Sequence, residues 1–271
     1  MTNKFKILIK NIFSVHNEYF HKIVYLFGFK IKYKRRVSMA TLDEYLNLFL
    51  DIRLAPKAKG LLRKKQLLEL FLMNELKKIC DDLGIKFWLR GGTALGAVRH
   101  KGFIPWDDDV DLGMMRADFD KLVDYVNNNT DQYEIVTFYN KGALSKVVKF
   151  AFKNVKGGVY IDIFPFDWCS YDNHEEFWKQ WLADKHELRK NLRQIKFIGR
   201  AYEKDIPAQV LEKIESCNNK YKNMYINSPH RSAICSAIEH INARGRKRIF
   251  PVDMIFPLKQ TEFEDENYYI M

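Results

Sequence analysis

Cysteine is scarce in this 271-residue chain, and the four present stand far apart. Cys80, Cys169, Cys217 and Cys235 form no pair at zinc-knuckle or redox spacing. They read as reduced thiols of a cytoplasmic protein. Long apolar runs are missing too. The best candidate, IVYLFGF from Ile23, is broken by Gly28 and falls short of the ~20 residues that span a bilayer. The opening MTNKFKILIKNIF holds Lys10 inside its apolar stretch and lacks a small-residue cleavage site, so it does not read as a signal peptide. There is no internal repeat and no low-complexity linker. Acids are nearly absent from the first 36 residues, where Glu18 faces Lys4, Lys6, Lys10, Lys22, Lys30, Lys32, Lys34, Arg35 and Arg36.

What is there suits one sizeable domain with an appendage. Hydrophobic residues make up 47% of the chain and aromatics 14%, enough to bury a core. The expected division is a basic appendage over 1–38 and a catalytic domain over 39–271. The net charge of +11 is concentrated in the appendage. Such a segment suits an anionic membrane surface, at about 1 kcal/mol per Lys or Arg near the lipid. That places the protein in the cytoplasm with peripheral contact at the inner face of the plasma membrane. The plainer reading is a solvated basic leader. A nucleic-acid-binding module is the other class the charge suggests. The basic residues cluster in the leader, however, and no zinc-finger or RNA-recognition motif accompanies them, so no nucleic-acid partner is expected.

The hydrophobic pattern gives an order of elements. Apolar and basic residues alternate around Gly28, as in a small hairpin. Leu61 to Leu83 has helical spacing, with Gly84 as a natural C-cap. Ile85 to Arg90 reads as a strand, Gly91-Gly92 as a turn, and Thr93 as the cap of a short helix through Arg99. Val110 to Met115 is a strand and Arg116 to Val126 a helix. YEIVTF, LSKVVKFAFK and GVYIDIFPFDW are strand-like. Asn173 to Arg200 and Pro207 to Tyr225 are helical, with Glu175, Lys179, Lys185 and Glu187 expected on solvent faces. The fold class is α/β, a mixed sheet flanked by helices with a helical C-terminal part.

The chemistry gathers between Trp88 and Leu122. Asp107, Asp108, Asp109 and Asp111 fall within five positions. Four acids this close repel one another unless something positive sits among them. On a strand, side chains at i and i+2 share a face. Asp109 and Asp111 therefore converge, with Val110 pointing into the core. Two such carboxylates suit Mg²⁺ or Mn²⁺, which take hard oxygen ligands together with substrate phosphates. Asp162 supplies a third, because a charge between Ile161 and Ile163 in an apolar strand needs a metal or an ionic partner. The plainer reading of Asp162 is a salt bridge to a lysine. Asp167 is the lesser candidate, expected in a turn past Pro165. Gly91 and Gly92 allow a phosphate close to the backbone at a helix N-terminus.

These features resemble the LicD family of the nucleotidyltransferase superfamily, which also includes fukutin and fukutin-related protein. The superfamily pattern is a Gly-Gly turn, an acid-x-acid strand and an acid on a later strand. Here these are Gly91-Gly92, Asp109-x-Asp111 and Asp162. GGTALGAVRHKGFIPWDDDVDLGMMRADFDKL follows the family signature, YIDIFPFD its second block and IFPLKQTEFE a weaker third. The resemblance runs from Leu61 to Phe263. Such chains usually continue past the third block into a Tyr-Gly pair and a Pro-rich end, which does not follow here before Met271.

The resemblance implies a nucleotidyltransferase-like fold and a phosphotransferase. Its activity is moving phosphocholine, or a similar polar alcohol phosphate, from a CDP-linked donor to a sugar hydroxyl. The acceptor is a cell-surface glycan such as lipopolysaccharide, capsule or teichoic acid, lipid-linked when modified. Asp109, Asp111 and Asp162 are then the ligands of Mg²⁺ or Mn²⁺, and Asp107 or Asp108 accepts the acceptor's proton. Arg99, His100 and Lys101 are candidate phosphate contacts, alongside Gly91, Gly92, Thr93 and Trp106 on the substrate side. His100 also reads as a structural hydrogen-bonder. Trp106, Phe164, Phe166 and Trp168 offer faces for a quaternary ammonium, or are ordinary core. Nucleotidyl transfer from an NTP, or transfer of glycerol or ribitol phosphate, would use the same acids. A non-catalytic glycan scaffold is opposed by the intact acid set.

Overall fold

The computed structural model describes residues 13–18, 21–26, 29–34, 53, 55–140, 144–155, 158–170, 174–194, 200–226, 231–240 and 249–271. The chain divides into two compact units, Met1–Ala55 and Pro56–Met271. In the first, β1 (Phe13–Glu18), β2 (His21–Leu26) and β3 (Phe29–Lys34) form an antiparallel meander. Its register pairs Val15 with Val24, Val24 with Ile31 and Leu26 with Phe29. The turn expected at Gly28 lies outside the described residues.

The second unit begins with α1 (Gly60–Leu83). Its inner face carries Leu72, Met73, Leu76 and Cys80, all buried. It stops at Gly84, whose φ of 65° is left-handed and whose N–H bonds back to the last turn. Then follow β4 (Phe87–Leu89), α2 (Gly91–His100), β5 (Val110–Met115), α3 (Arg116–Asn129), β6 (Tyr133–Asn140), β7 (Ser145–Phe152) and β8 (Tyr160–Cys169). The C-terminal part holds α4 (His174–Gln194), β9 (Arg200–Tyr202), α5 (Ala208–Ile226), β10 (Ala233–Ser236), β11 (Ile249–Pro251), α6 (Val252–Ile255), β12 (Lys259–Phe263) and β13 (Glu266–Ile270). Among the described residues, no helix is long and apolar enough to cross a membrane.

One mixed sheet organises this unit, in the order β12-β13-β4-β5-β8-β7-β6-β9, with β10 on β8 and β11 on β10. β5 and β8 run parallel, as do β13 and β4. Alternation along β5 decides which face is which. Val110, Leu112 and Met114 are fully buried in the main core with Ile161, Ile163, Leu122 and the apolar stripe of α1. Burying each such side chain stabilises by roughly 1.5–3 kcal/mol. Asp111 and Gly113 take the opposite face. There Trp88 packs so closely that a Cβ on Gly113 would lie 2.3 Å from its indole nitrogen.

Two expectations need correction. β8 does not turn at Pro165 but runs on to Cys169. It pairs with β7 up to Ile163 and with β10 from Phe166, so Pro165 sits at the changeover, where that edge needs no ladder donor. Its carbonyl accepts the Ala237 N–H at 2.9 Å. Lys185 is not on a solvent face. It is fully buried, its ammonium donating to the Leu144 carbonyl at 3.2 Å and to Asn218 Oδ1 at 2.5 Å. Burial pushes its pKa down to about 8.

Candidate functional site

The site is built by strand register. Asp111 on β5 lies opposite Asp162 on β8, and Asp162 lies opposite Lys149 on β7. Beyond β4, the Arg90 N–H donates to the Asp111 carbonyl at 3.0 Å. Four charged residues thus stand in one cross-strand row, Arg90, Asp111, Asp162 and Lys149. Asp109 joins from the end of the preceding loop. Carboxylate oxygens of Asp109, Asp111 and Asp162 all lie within 4.8 Å of one another. A second group, Asp107, Asp108 and Asp109, meets the same measure and shares Asp109.

Local structure explains how the acids come so close. Gly91 opens α2 with a φ of 57°. A Cβ there would lie 2.8 Å from Asp111 Oδ2, and one on Gly92 would lie 2.4 Å from Asp107 Oδ2. The glycine pair makes room for carboxylates against the helix start, where backbone N–H groups favour negative charge. Thr93 does not cap α2. Arg90 takes the cap position, and Thr93 Oγ1 instead accepts the Asp111 N–H at 2.9 Å, tying helix to strand. The acidic loop is held from behind by α1. Buried Gln66 donates from Nε2 to the Asp107 carbonyl at 2.9 Å. Lys65 reaches the Asp108 backbone carbonyl, and lies 3.4 Å from Asp108 Oδ2 and 3.1 Å from Glu69 Oε1.

The electrostatics are those of anions crowded out of water. Burial, then Asp109 and Asp162, push the Asp111 pKa up to about 7, against the pull of Arg90. Burial and Asp109 raise Asp107 to about 6. Glu69, fully buried on α1, is raised by burial to about 7 despite Lys65. Asp162 is gripped by Lys149, with Nζ at 2.6 Å from Oδ1 and 2.7 Å from Oδ2. The ionic partner considered for Asp162 is therefore real, and it coexists with the acid trio. Three hard oxygen donors within one ion's reach fit a divalent cation of the Mg²⁺ or Mn²⁺ type.

Residues 84–203 match the family described as LicD/FKTN/FKRP, nucleotidyltransferase domain. Lipopolysaccharide cholinephosphotransferase LicD of Haemophilus influenzae is 24% identical over 213 residues, covering 74% of this chain and 71% of that protein. Residues 84–203 are thus LicD-like. Shorter stretches match more closely. Human ribitol 5-phosphate transferase FKRP is 50% identical over 40 residues, 15% of this chain and 8% of that protein. Mouse ribitol-5-phosphate transferase FKTN is 46% identical over 57 residues, 21% of this chain and 11% of that protein. The LicD-type segment contains the whole charged row, whereas Lys65, Gln66 and Glu69 precede it.

Not every residue marked in the sequence comes to this row. Arg99, His100 and Lys101 lie at the far end of α2 from Gly91. Ten helical residues span about 15 Å. Arg99 and Lys101 are exposed there, and His100 meets the edge of Trp106 at 6.3 Å between ring centres. Asp167 is buried in β8 and accepts two bonds from Arg116, Nε to Oδ1 at 2.8 Å and Nη2 to Oδ2 at 2.9 Å. Arg116 Nη1 also reaches Glu239 Oε1 at 2.7 Å. Asp167 is thus part of a buried ion network. Sequence reasoning passed over Arg90, Lys149, Lys65, Gln66 and Glu69. Lys149 carried the same signal as Asp162, a charge inside an apolar strand, and only the register shows that the two meet.

Proposed function

We propose that this protein is a metal-dependent phosphotransferase that moves a polar alcohol phosphate from a CDP-linked donor to a sugar hydroxyl of a cell-surface glycan. The observation that carries this reading is the convergence of Asp109, Asp111 and Asp162 beside Arg90 and Lys149. The three carboxylates would hold Mg²⁺ or Mn²⁺, which when bound neutralises the charge that develops as CMP leaves. The neighbouring residues supply the rest. Asp107, with its pKa raised to about 6, is a half-buried base able to take the acceptor hydroxyl's proton near neutral pH. Arg90 places its guanidinium 4.1 Å over the Phe164 ring and its charge acts on Asp111, so it would also favour phosphate oxygens brought to this site.

The rings bear on the head group. A quaternary ammonium needs open aromatic faces. Phe166 is fully buried, Trp168 stacks on Phe256 at 5.9 Å, and Arg90 covers Phe164. Trp106, 43% exposed, keeps an open surface near the acids. One ring is a thin cage for choline, so an uncharged polyol phosphate such as ribitol or glycerol phosphate is the second reading. The names of the FKRP and FKTN relatives point the same way.

A mass-spectrometric screen of CDP-choline, CDP-ethanolamine, CDP-glycerol, CDP-ribitol and plain NTPs decides among these. CMP release with one CDP-alcohol is the expected result, and pyrophosphate release from an NTP would replace this reading with nucleotidyl transfer. The basic first unit would hold the enzyme at an anionic, cytoplasm-facing membrane where a lipid-linked acceptor lies. Liposome co-sedimentation tests this. Salt-sensitive binding by the full chain, lost in a chain starting at Met39, is expected, and equal binding by both refutes it.

A further inference from the structure

We propose that Lys149 is a positioning residue of the acid site, one that fixes the Asp162 carboxylate and holds the site's affinity for a divalent cation down. The inference rests on the cation reading given above and concerns how that cation is held. Lys149 is placed by the pairing of β7 with β8, directly across from Asp162. Its side chain lies over the Tyr160 ring, with Nζ 3.2 Å from the ring centre, and 5.8 Å from the centre of Phe138. Only 8% of the residue is exposed. A lysine buried to this degree keeps its charge only if an anion faces it. Asp162 does so through both oxygens, at 2.6 and 2.7 Å.

That arrangement has two consequences for any ion at the trio. A carboxylate offers about four lone-pair sites, so the ammonium leaves room on Asp162 for a cation. The ammonium therefore orients Asp162 without excluding the ion, as outer-shell partners of metal ligands do. Its charge, however, stands one carboxylate away from the ion and repels it. Lys65 cannot play this part, because it serves the exposed Asp108 at 3.4 Å and is shared with Glu69. The result is a site that is shaped in advance yet releases its cation readily.

The test is Mn²⁺ titration followed by the electron paramagnetic resonance signal of free Mn²⁺. Wild type, Lys149→Met and Lys149→Arg are compared, with circular dichroism as a check on folding. Lys149→Met is expected to bind Mn²⁺ roughly tenfold more tightly, or better, because a nearby positive charge is gone. Lys149→Arg, which keeps the charge, is expected to stay close to wild type. Should the methionine variant fold poorly, Lys149→Gln carries the same comparison. Weaker binding in Lys149→Met would mean that orienting Asp162 outweighs repulsion of the ion, and unchanged binding that the ammonium does not act on the ion; either result overturns the proposal. A wild-type chain that binds no Mn²⁺ removes the cation reading and this inference together. Binding by wild type with no effect of Lys149 removes this inference alone.

Discussion

Asp111 carries the sharpest conflict of any single residue in the site. It is held by the Thr93 hydroxyl and the Arg90 N–H, yet burial and two neighbouring acids oppose its charge. Asp111→Asn and Asp109→Asn are each expected to abolish transfer. The lost charge stabilisation is at least about 3 kcal/mol, by analogy with oxyanion donors. Steady-state kinetics at saturating Mg²⁺ checks this, and near-normal turnover in either variant removes the ligand assignment. In the absence of metal, Asp111→Asn should raise the melting temperature, since it deletes a repelled anion. Asp167 behaves otherwise. Asp167→Ala leaves Arg116 buried with Glu239 alone, and breaking such a buried pair costs about 3–5 kcal/mol. Urea unfolding should show the loss. A stable Asp167→Ala protein would mean that Arg116 finds another anion.

At the scale of elements, the acidic loop depends on two supports that are remote in sequence, α1 and the β12–β13 hairpin. Glu264, between those two strands, accepts from Arg63 Nη1 at 2.9 Å and Nη2 at 2.7 Å, from Lys57 at 2.7 Å, and from the Phe103 N–H at 3.3 Å. Its own N–H donates to the Lys101 carbonyl at 2.8 Å. Glu264→Ala is expected to cost about 3 kcal/mol, nearly all through Arg63, because Lys57 is 56% exposed. Denaturant titration measures it, and a change under about 0.5 kcal/mol would show that the hairpin is held without this contact. Much of the element plan was legible in the sequence. The α1 stripe, the Gly84 stop and the alternation of Val110, Leu112 and Met114 are local patterns, and local patterns fix faces. The misreadings share one cause. Thr93, Asp167 and Lys185 take partners from elements that no local spacing reveals, and Pro165 is tolerated only because β8 changes neighbours there.

For the whole molecule, the titrating groups define a pH window. Burial works against ionisation of Glu264, but the hydrogen bonds from Arg63 and Lys57 outweigh it and hold its pKa at about 2. Its contribution is present above its ordinary 4.5 and is lost as pH falls toward 2. Asp107, Asp111 and Glu69 are shifted the other way, to about 6, 7 and 7. What they contribute is present below about 4 and is lost as pH rises through about 7. The melting temperature in EDTA should therefore fall from pH 5 to pH 8, and Mg²⁺ should restore it most at the upper end. A flat profile with no response to Mg²⁺ would contradict the acid cluster as a cation site. One consequence of the β5–β8 pairing concerns time rather than strength. Asp111 and Asp162 meet only because two parallel strands are adjacent, and parallel strands require a long crossover, here α3, β6 and β7. Closing such a loop is slow and is rewarded only once the far strand docks. The acid trio is thus absent from any species in which β8 is still loose. A cation that binds the trio should leave the refolding rate unchanged and slow unfolding alone, so stopped-flow traces with and without Mg²⁺ would differ in only one limb of the chevron.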